Sequence, residues 1–202
     1  MTLWHAHVLY ALAWLSFGAG HSLLAATAVK AQLKPLFGAG YRLAYNLFAA
    51  AHLAAVVAVG RWAFAGVDPF ALPRWALWPM IAAQIAGALV LAVGLRAYDL
   101  GRFAGVTQIR NARAGTLGPE DEPLRLEGPH RFVRHPLYAG LLLILWGRIA
   151  DPLDLATAAW ASVYIGVGIA FEEKKLIALY GPAYSDYRRR VPALIPWKGR
   201  AL

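Results

Sequence analysis

Residues 136–171, PLYAGLLLILWGRIADPLDLATAAWASVYIGVGIAF, decide the fold. One helix needs only about 20 apolar residues to cross a bilayer, and this stretch holds about 36. Inside it lies Gly147-Arg148-Ile149-Ala150-Asp151-Pro152, where a proline and a charge pair make a turn. Two membrane helices joined by a tight hairpin follow. Outward toward the N-terminus lie three more stretches of spanning length, at residues 3–29, 41–64 and 75–95. The first has no basic leader before its apolar core, so it reads as a retained helix rather than a cleaved signal. The expected fold is all-α and polytopic, with five transmembrane helices. The chain, residues 1–202, reads as a single membrane domain: three helices in 1–95, a polar loop in 96–135, then two helices and a tail in 136–202.

The composition agrees. Of the 202 residues, 59% are hydrophobic and only 15% charged, against about half and a quarter in soluble domains. No cysteine is present, which excludes a disulfide scaffold, a zinc–thiolate site and a cysteine nucleophile. The formal net charge is +9. Seventeen of the 20 lysines and arginines fall in the segments after the first helix, after the third helix and in the tail; Arg61, Arg74 and Arg148 are the other three. That asymmetry predicts an external N-terminus with the long loop and the tail cytoplasmic, in what we expect to be a bacterial inner membrane. It also predicts contact with anionic lipid. Nucleic acid is not an expected partner, because no basic patch interleaved with aromatics accompanies the charge.

The loop of residues 96–135 is far longer than an ordinary connection. Within it Glu120-Asp121-Glu122, flanked by Gly118, Pro119 and Pro123, reads as a solvated loop tip. Then Gly128-Pro129-His130-Arg131-Phe132-Val133-Arg134-His135-Pro136-Leu137-Tyr138 runs a dense polar cluster straight into a membrane helix. Pro136 suits the first turn of that helix, where a missing N–H costs nothing. Arg134, His135 and Tyr138 are then expected around its cytoplasmic mouth, either as chemistry or as interfacial basic and aromatic anchors. At the far end of the last helix stand Glu172 and Glu173, about 100° apart on the helix, so that one faces the bundle while the other meets solvent or a lysine. The helix is expected to continue to Tyr180 and stop at Gly181-Pro182. Tyr184, Tyr187 and the triplet Arg188-Arg189-Arg190 lie beyond.

The ordered set Arg134-His135-Pro136-Leu137-Tyr138-Ala139-Gly140, Glu172-Glu173, Leu176, Tyr180-Gly181, Tyr184, Tyr187, Val191-Pro192 and Ile195-Pro196 resembles the integral-membrane methyltransferases. These include isoprenylcysteine carboxyl and phospholipid methyltransferases. Upstream, Gly20-His21-Ser22-Leu23-Leu24-Ala25 and Tyr41-Arg42-Leu43-Ala44-Tyr45-Asn46 are similar to the NnrU family and to methanethiol S-methyltransferases, as is Phe103-Ala104-Gly105-Val106-Thr107-Gln108 to the loop of the latter. The resemblance implies S-adenosylmethionine as cofactor. It places Gly128, His130, His135 and Tyr138 along its pocket, Glu172 or Glu173 on its polar groups, and Tyr184 and Tyr187 over it as a lid. It implies methyl transfer to a small-molecule or lipid acceptor, a thiol such as methanethiol above all. Isoprenylcysteine carboxylate and a phospholipid amine are the second alternative. Arg131 or Arg134 would hold an anionic acceptor, His135 is a candidate base, and Tyr138, Tyr184 or Tyr187 would face the sulfonium. The NnrU likeness carries a rival, a haem-binding isomerase or denitrification accessory protein. There His21 and His52, about 12 and 16 Å from the cytoplasmic end, would be ligands; a neutral histidine bonded to a serine or a carbonyl is the plainer reading.

Overall fold

The computed structural model describes residues 1–116 and 124–197, and among them there are helices and no strands. Glu120-Asp121-Glu122 with its flanking Gly118, Pro119 and Pro123, and the tail cations Lys198 and Arg200, lie outside the described residues. In chain order the helices are α1 (Leu3–Ala25), α2 (Thr27–Phe37), α3 (Tyr41–Ala63), α4 (Arg74–Leu95), α5 (Leu100–Ala104), α6 (Val106–Arg113), α7 (Pro136–Gly147), α8 (Pro152–Tyr180) and α9 (Pro182–Arg190). The chain groups into two compact units. One holds residues 1–67 and 99–121; the other holds 68–98 and 122–202.

In the first unit α1 packs along α3. The contact is an aromatic ladder on one stripe of α1: Tyr10, Trp14 and Phe17 are buried, and so are Val56, Ala63 and Phe64 of the facing strip. Phe64 stands nearly perpendicular to both His7 and Tyr10, at ring centroid distances of 4.9 and 5.9 Å. The first apolar stretch does not run on to residue 29 as one helix. Ala26 adopts an extended ψ of 136°, which ends α1 and starts α2 in a new direction. A second break follows at Gly38, whose φ of +52° favours glycine. α2, which buries none of its side chains, is thus set off from the spans on either side.

In the second unit α4 and α7 lie in intimate contact. Two glycines on each helix let the backbones meet. A Cβ on Gly87 would stand 2.6 Å from the Gly140 carbonyl oxygen, and one on Gly147 would stand 2.9 Å from that of Met80. The Gln84 amide closes the seam by donating to the Gly147 carbonyl at 2.9 Å. Between helices in lipid there is no hydrophobic drive, so close approach of small residues is what holds such a pair.

Among the described residues, four helical stretches are long and apolar enough to span a membrane: Leu3–Ala25, Thr27–Ala63 (within which α3 alone supplies 23 residues), Arg74–Leu95 and Pro152–Tyr180. α7, the fourth of the five expected membrane helices, is apolar but shorter than the others. Its 12 residues reach about 18 Å, short of a hydrocarbon core of about 30 Å. Residues 148–151 link α7 to α8 without helix, and the Phe70 N–H holds them by donating to the Ala150 carbonyl at 2.8 Å. Asp151 then caps α8 by accepting from the Asp154 N–H at 2.7 Å. α8, at 29 residues, returns the whole way and beyond. The hairpin therefore carries both ends of the polar machinery to one level, His135 before α7 and Glu172-Glu173 late in α8.

The glycine seam is open to test. Gly87→Ala should lower thermal stability in detergent by about 1–3 kcal/mol through overpacking. Gly166→Ala, where an added methyl group meets nothing within 4 Å, should be neutral or stabilising by up to about 1 kcal/mol.

Candidate active site

The site is built around one buried carboxylate. Glu173 lies on the inner face of α8 and is 5% exposed. Its Oε1 accepts from Arg134 Nε at 2.7 Å and from Arg134 Nη2. Its Oε2 meets Arg188 Nε at 3.0 Å. The loop and the tail are thus both fastened to the same helix. Arg134 does more, since its Nη1 donates to the carbonyls of Val191 and, at 3.2 Å, Arg188. The guanidinium, with its five donors in a fixed fork, suits this many-partner task better than a lysine would.

Backbone bonds complete the junction. The Arg134 N–H donates to Pro192 O at 2.9 Å and the His135 N–H to Ala193 O at 3.0 Å. The Tyr187 hydroxyl donates to His130 O at 2.6 Å. Tyr184 and Tyr187, each 2% exposed, pack with Val191 against Leu124, Leu126, Leu176, Ile177 and Tyr180. Tyr184 and Tyr187, which the family likeness places over the cofactor, belong here to a packed core that joins tail to loop. Burial, with the nearby Glu173 charge added, pushes the Tyr184 hydroxyl up to about 12; burial likewise raises Tyr187. Both stay protonated in neutral water.

His135 occupies the mouth of α7, buried, with a carboxylate before each ring nitrogen. Nε2 lies 3.3 Å from Glu173 Oε1 and Nδ1 lies 3.7 Å from Glu172 Oε2. The adjacent carboxylates, too far apart in angle to meet one atom, reach the two sides of one ring. Tyr138 stacks on that ring at 5.6 Å with a 21° tilt, and its hydroxyl donates to Glu172 Oε2 at 3.1 Å. The Glu172 side chain remains 44% exposed. The pair is therefore divided as its spacing predicts: Glu173 faces inward into the ionic knot, Glu172 outward at its edge.

His130 sits in the short turn Gly128–Arg131, which Gly128 opens at φ +58°. Its Nδ1 faces the Arg134 carbonyl at 3.3 Å and its Nε2 faces the Tyr98 hydroxyl at 3.4 Å. A carbonyl can only accept, so Nδ1 carries the hydrogen and Nε2 the lone pair. Burial holds the His130 pKa below its ordinary 6.5, with smaller contributions in the same direction from His135 and Arg125; the Arg134 carbonyl opposes them. Arg131 is exposed. Two partners were missed in the sequence: Arg188, indistinguishable there from its two neighbours in the triplet, and Tyr98, placed beside His130 only by the end of α4.

In the other unit, His21 Nε2 pairs with the Tyr45 hydroxyl at 2.5 Å, and His52 Nε2 with Ser16 Oγ at 3.1 Å. Ser16 donates its own hydrogen to Ala13 O, so His52 Nε2–H donates to Ser16. This is the plainer reading of these histidines, each bonded to a hydroxyl of the neighbouring helix. No group of three or more His, Cys, Asp or Glu that could hold a metal ion is present among the described residues.

Two predictions separate structural from exposed groups. Glu173→Ala should cost about 3–5 kcal/mol of stability, because it leaves the Arg134 charge buried and uncompensated. Glu172→Gln should change it by under about 1 kcal/mol; thermal unfolding in detergent reads both. For His130 the folded pKa is depressed, so the unfolded chain takes up the proton first. Its contribution is complete above pH 6.5 and is lost as pH falls below that value. His130→Gln should flatten the stability–pH curve in that window.

Relatives exist among characterised proteins. The chain is 40% identical over 97 residues to methanethiol S-methyltransferase 1 of Bradyrhizobium diazoefficiens, covering 46% of this chain and 33% of that protein. It is 35% identical over 134 residues to methanethiol S-methyltransferase 2 of the same organism, covering 63% and 51%. It is 30% identical over 157 residues to Nurim of Xenopus laevis, covering 73% and 54%. The matches thus span between a third and about half of these relatives' own lengths. No family model matches the chain. No solved structure matches it either. The methyltransferase names do not favour the haem-protein alternative. The chain is thus similar over part of its length to methanethiol S-methyltransferases and to Nurim, and its long apolar helices are those of an integral membrane protein.

Proposed function

We propose that the protein transfers a methyl group from S-adenosylmethionine to a small lipophilic thiol, of the kind methanethiol represents. The observation that carries this reading is the convergence of His135, Tyr138, Glu172 and Glu173 at the polar mouth of α7. The names of the methanethiol S-methyltransferase relatives support the choice of a thiol. The reading keeps the orientation inferred from charge, with the N-terminus external and loop and tail cytoplasmic, where the soluble cofactor is supplied.

The donor set suits a zwitterionic cation. Glu172 offers a half-exposed carboxylate, already oriented by Tyr138, for an ammonium group or ribose hydroxyls. Tyr138, stacked on His135, offers an aromatic face to a sulfonium. Arg131 and the half-exposed Arg188 are cations within the same segments for a carboxylate. Gly128 and His130 line the approach through their turn. When bound, S-adenosylmethionine supplies an electrophilic methyl group on sulfur. The chain's own residues do the rest by position. Arg134 is committed to Glu173, so its role is to hold the loop, and Arg131 is left as the cation that favours a thiolate over a thiol. Both ring nitrogens of His135 are turned toward carboxylates, which favours a positioning role over that of a base. Tyr184 and Tyr187 brace the turn from beneath. Holding both reactants in a water-poor mouth supplies much of the rate in such a displacement.

Titration calorimetry of the purified protein with S-adenosylhomocysteine should show binding, and Glu172→Gln should weaken it about tenfold, or ~1.4 kcal/mol. Methanethiol with labelled cofactor should yield labelled dimethyl sulfide in the headspace. A folded preparation that binds no S-adenosylhomocysteine sinks the proposal.

A further inference from the structure

The first unit carries a cationic, partly apolar shelf that the methyl-transfer reading does not use. α2 joins the end of the α1 span to the start of α3, so its covalent neighbours place it at a membrane surface. On its helical wheel Val29, Leu33, Leu36 and Phe37 form one arc, and Lys30 and Lys34 border that arc along one edge. Leu36 is 76% and Phe37 45% exposed. The pair α5 and α6 is fastened to the same end. The Arg42 Nε and the Asn46 amide both donate to Phe103 O, at 3.1 and 3.0 Å, and α6 and α2 both pack on the turn Gly38–Gly40. Along α6, Val106, Arg110 and Arg113 share one exposed stripe at i, i+4 and i+7. Leu100 and Phe103 of α5 are exposed as well. In-plane helices bind bilayers through this mixture of exposed apolar side chains and flanking cations.

We propose that α2, α5 and α6 form a docking surface for anionic phospholipid, with Leu36, Phe37, Phe103 and Val106 inserted among the headgroups and Lys30, Lys34, Arg110 and Arg113 against their phosphates. The occupant is the leaflet of the membrane that α1 and α3 cross. Charge complementarity and the covalent tether at both ends of α2 select it over a protein partner.

The chain has no cysteine, so single labels are free of background. Leu36→Cys and Phe103→Cys, each carrying an environment-sensitive fluorophore, are compared with an exposed Thr116→Cys control in phosphatidylcholine bilayers with and without phosphatidylglycerol. Both labels should be quenched by lipid-borne quencher at least about twofold more than the control, and more strongly when phosphatidylglycerol is present. Charge reversal at Lys30 and Lys34, or at Arg110 and Arg113, should remove the dependence on phosphatidylglycerol while S-adenosylhomocysteine binding persists. Quenching by aqueous quencher alone overturns the proposal. So does lipid quenching that ignores lipid charge, or protection from both quenchers accompanied by self-association. Loss of S-adenosylhomocysteine binding in the unmodified chain bears on the methyl-transfer reading and leaves this one standing.

Discussion

Everything at the polar end of the second unit depends on Glu173 being buried and ionic. A carboxylate removed from water must be paired and hydrogen-bonded, since desolvation otherwise exceeds what a single contact returns. Glu173 meets that demand with Arg134 from the loop, Arg188 from the tail and His135 from the mouth of α7. Three segments distant in sequence are drawn to one helix turn for an electrostatic reason. The same demand sorts the two adjacent glutamates. Once Glu173 takes the strong cations, Glu172 keeps a half-exposed carboxylate whose named contacts are a tyrosine hydroxyl and one edge of an imidazole. A structural charge thereby leaves its neighbour available for a ligand.

What was legible beforehand follows from short-range chemistry. Pro136 at the first turn of α7, the stop of α8 at Gly181 and the break at 147–152 are all local signals, and each stands where it was read. The division of Glu172 from Glu173 was legible because 100° per residue is a property of any helix. Other features had no local mark. Ala26 is a good helix former, and nothing in its type announces the extended ψ that ends α1. The shortness of α7 was hidden because hydropathy counts apolar residues without asking whether they are coiled or extended. Ile149 and Ala150 are apolar, yet they lie outside helix, in the link between Gly147 and Pro152.

The site's arginines and tyrosines teach a related lesson. Arg188, Arg189 and Arg190 are one word in the sequence, yet only Arg188 Nε reaches Glu173, because α9 turns the other two elsewhere; Arg189 pairs with Asp186. Tyr184 and Tyr187 look like ligand-facing aromatics by type. Their three-residue spacing puts both on the inner face of α9, packed with Val191 and the end of α8. Residue type suggested chemistry; helix phase determined which side chains were free to perform it.

A staple at one end of a hairpin positions a site only if the floor beneath it is rigid, and that floor is the glycine seam of α4 and α7. A Cβ on Gly94 would stand 2.9 Å from Leu137 Cδ2, so the residue beside Tyr138 is seated directly against α4. Tyr138 therefore inherits its height from backbone-to-backbone packing, and Glu172 inherits its own from the ion pair one residue later. The 3.1 Å bond between them joins the two systems. Loosening either should displace one partner of that bond without moving the other. This is why a group as far from the site as Gly87 belongs to its geometry: interfaces between close-packed helices shift as wholes rather than bend locally.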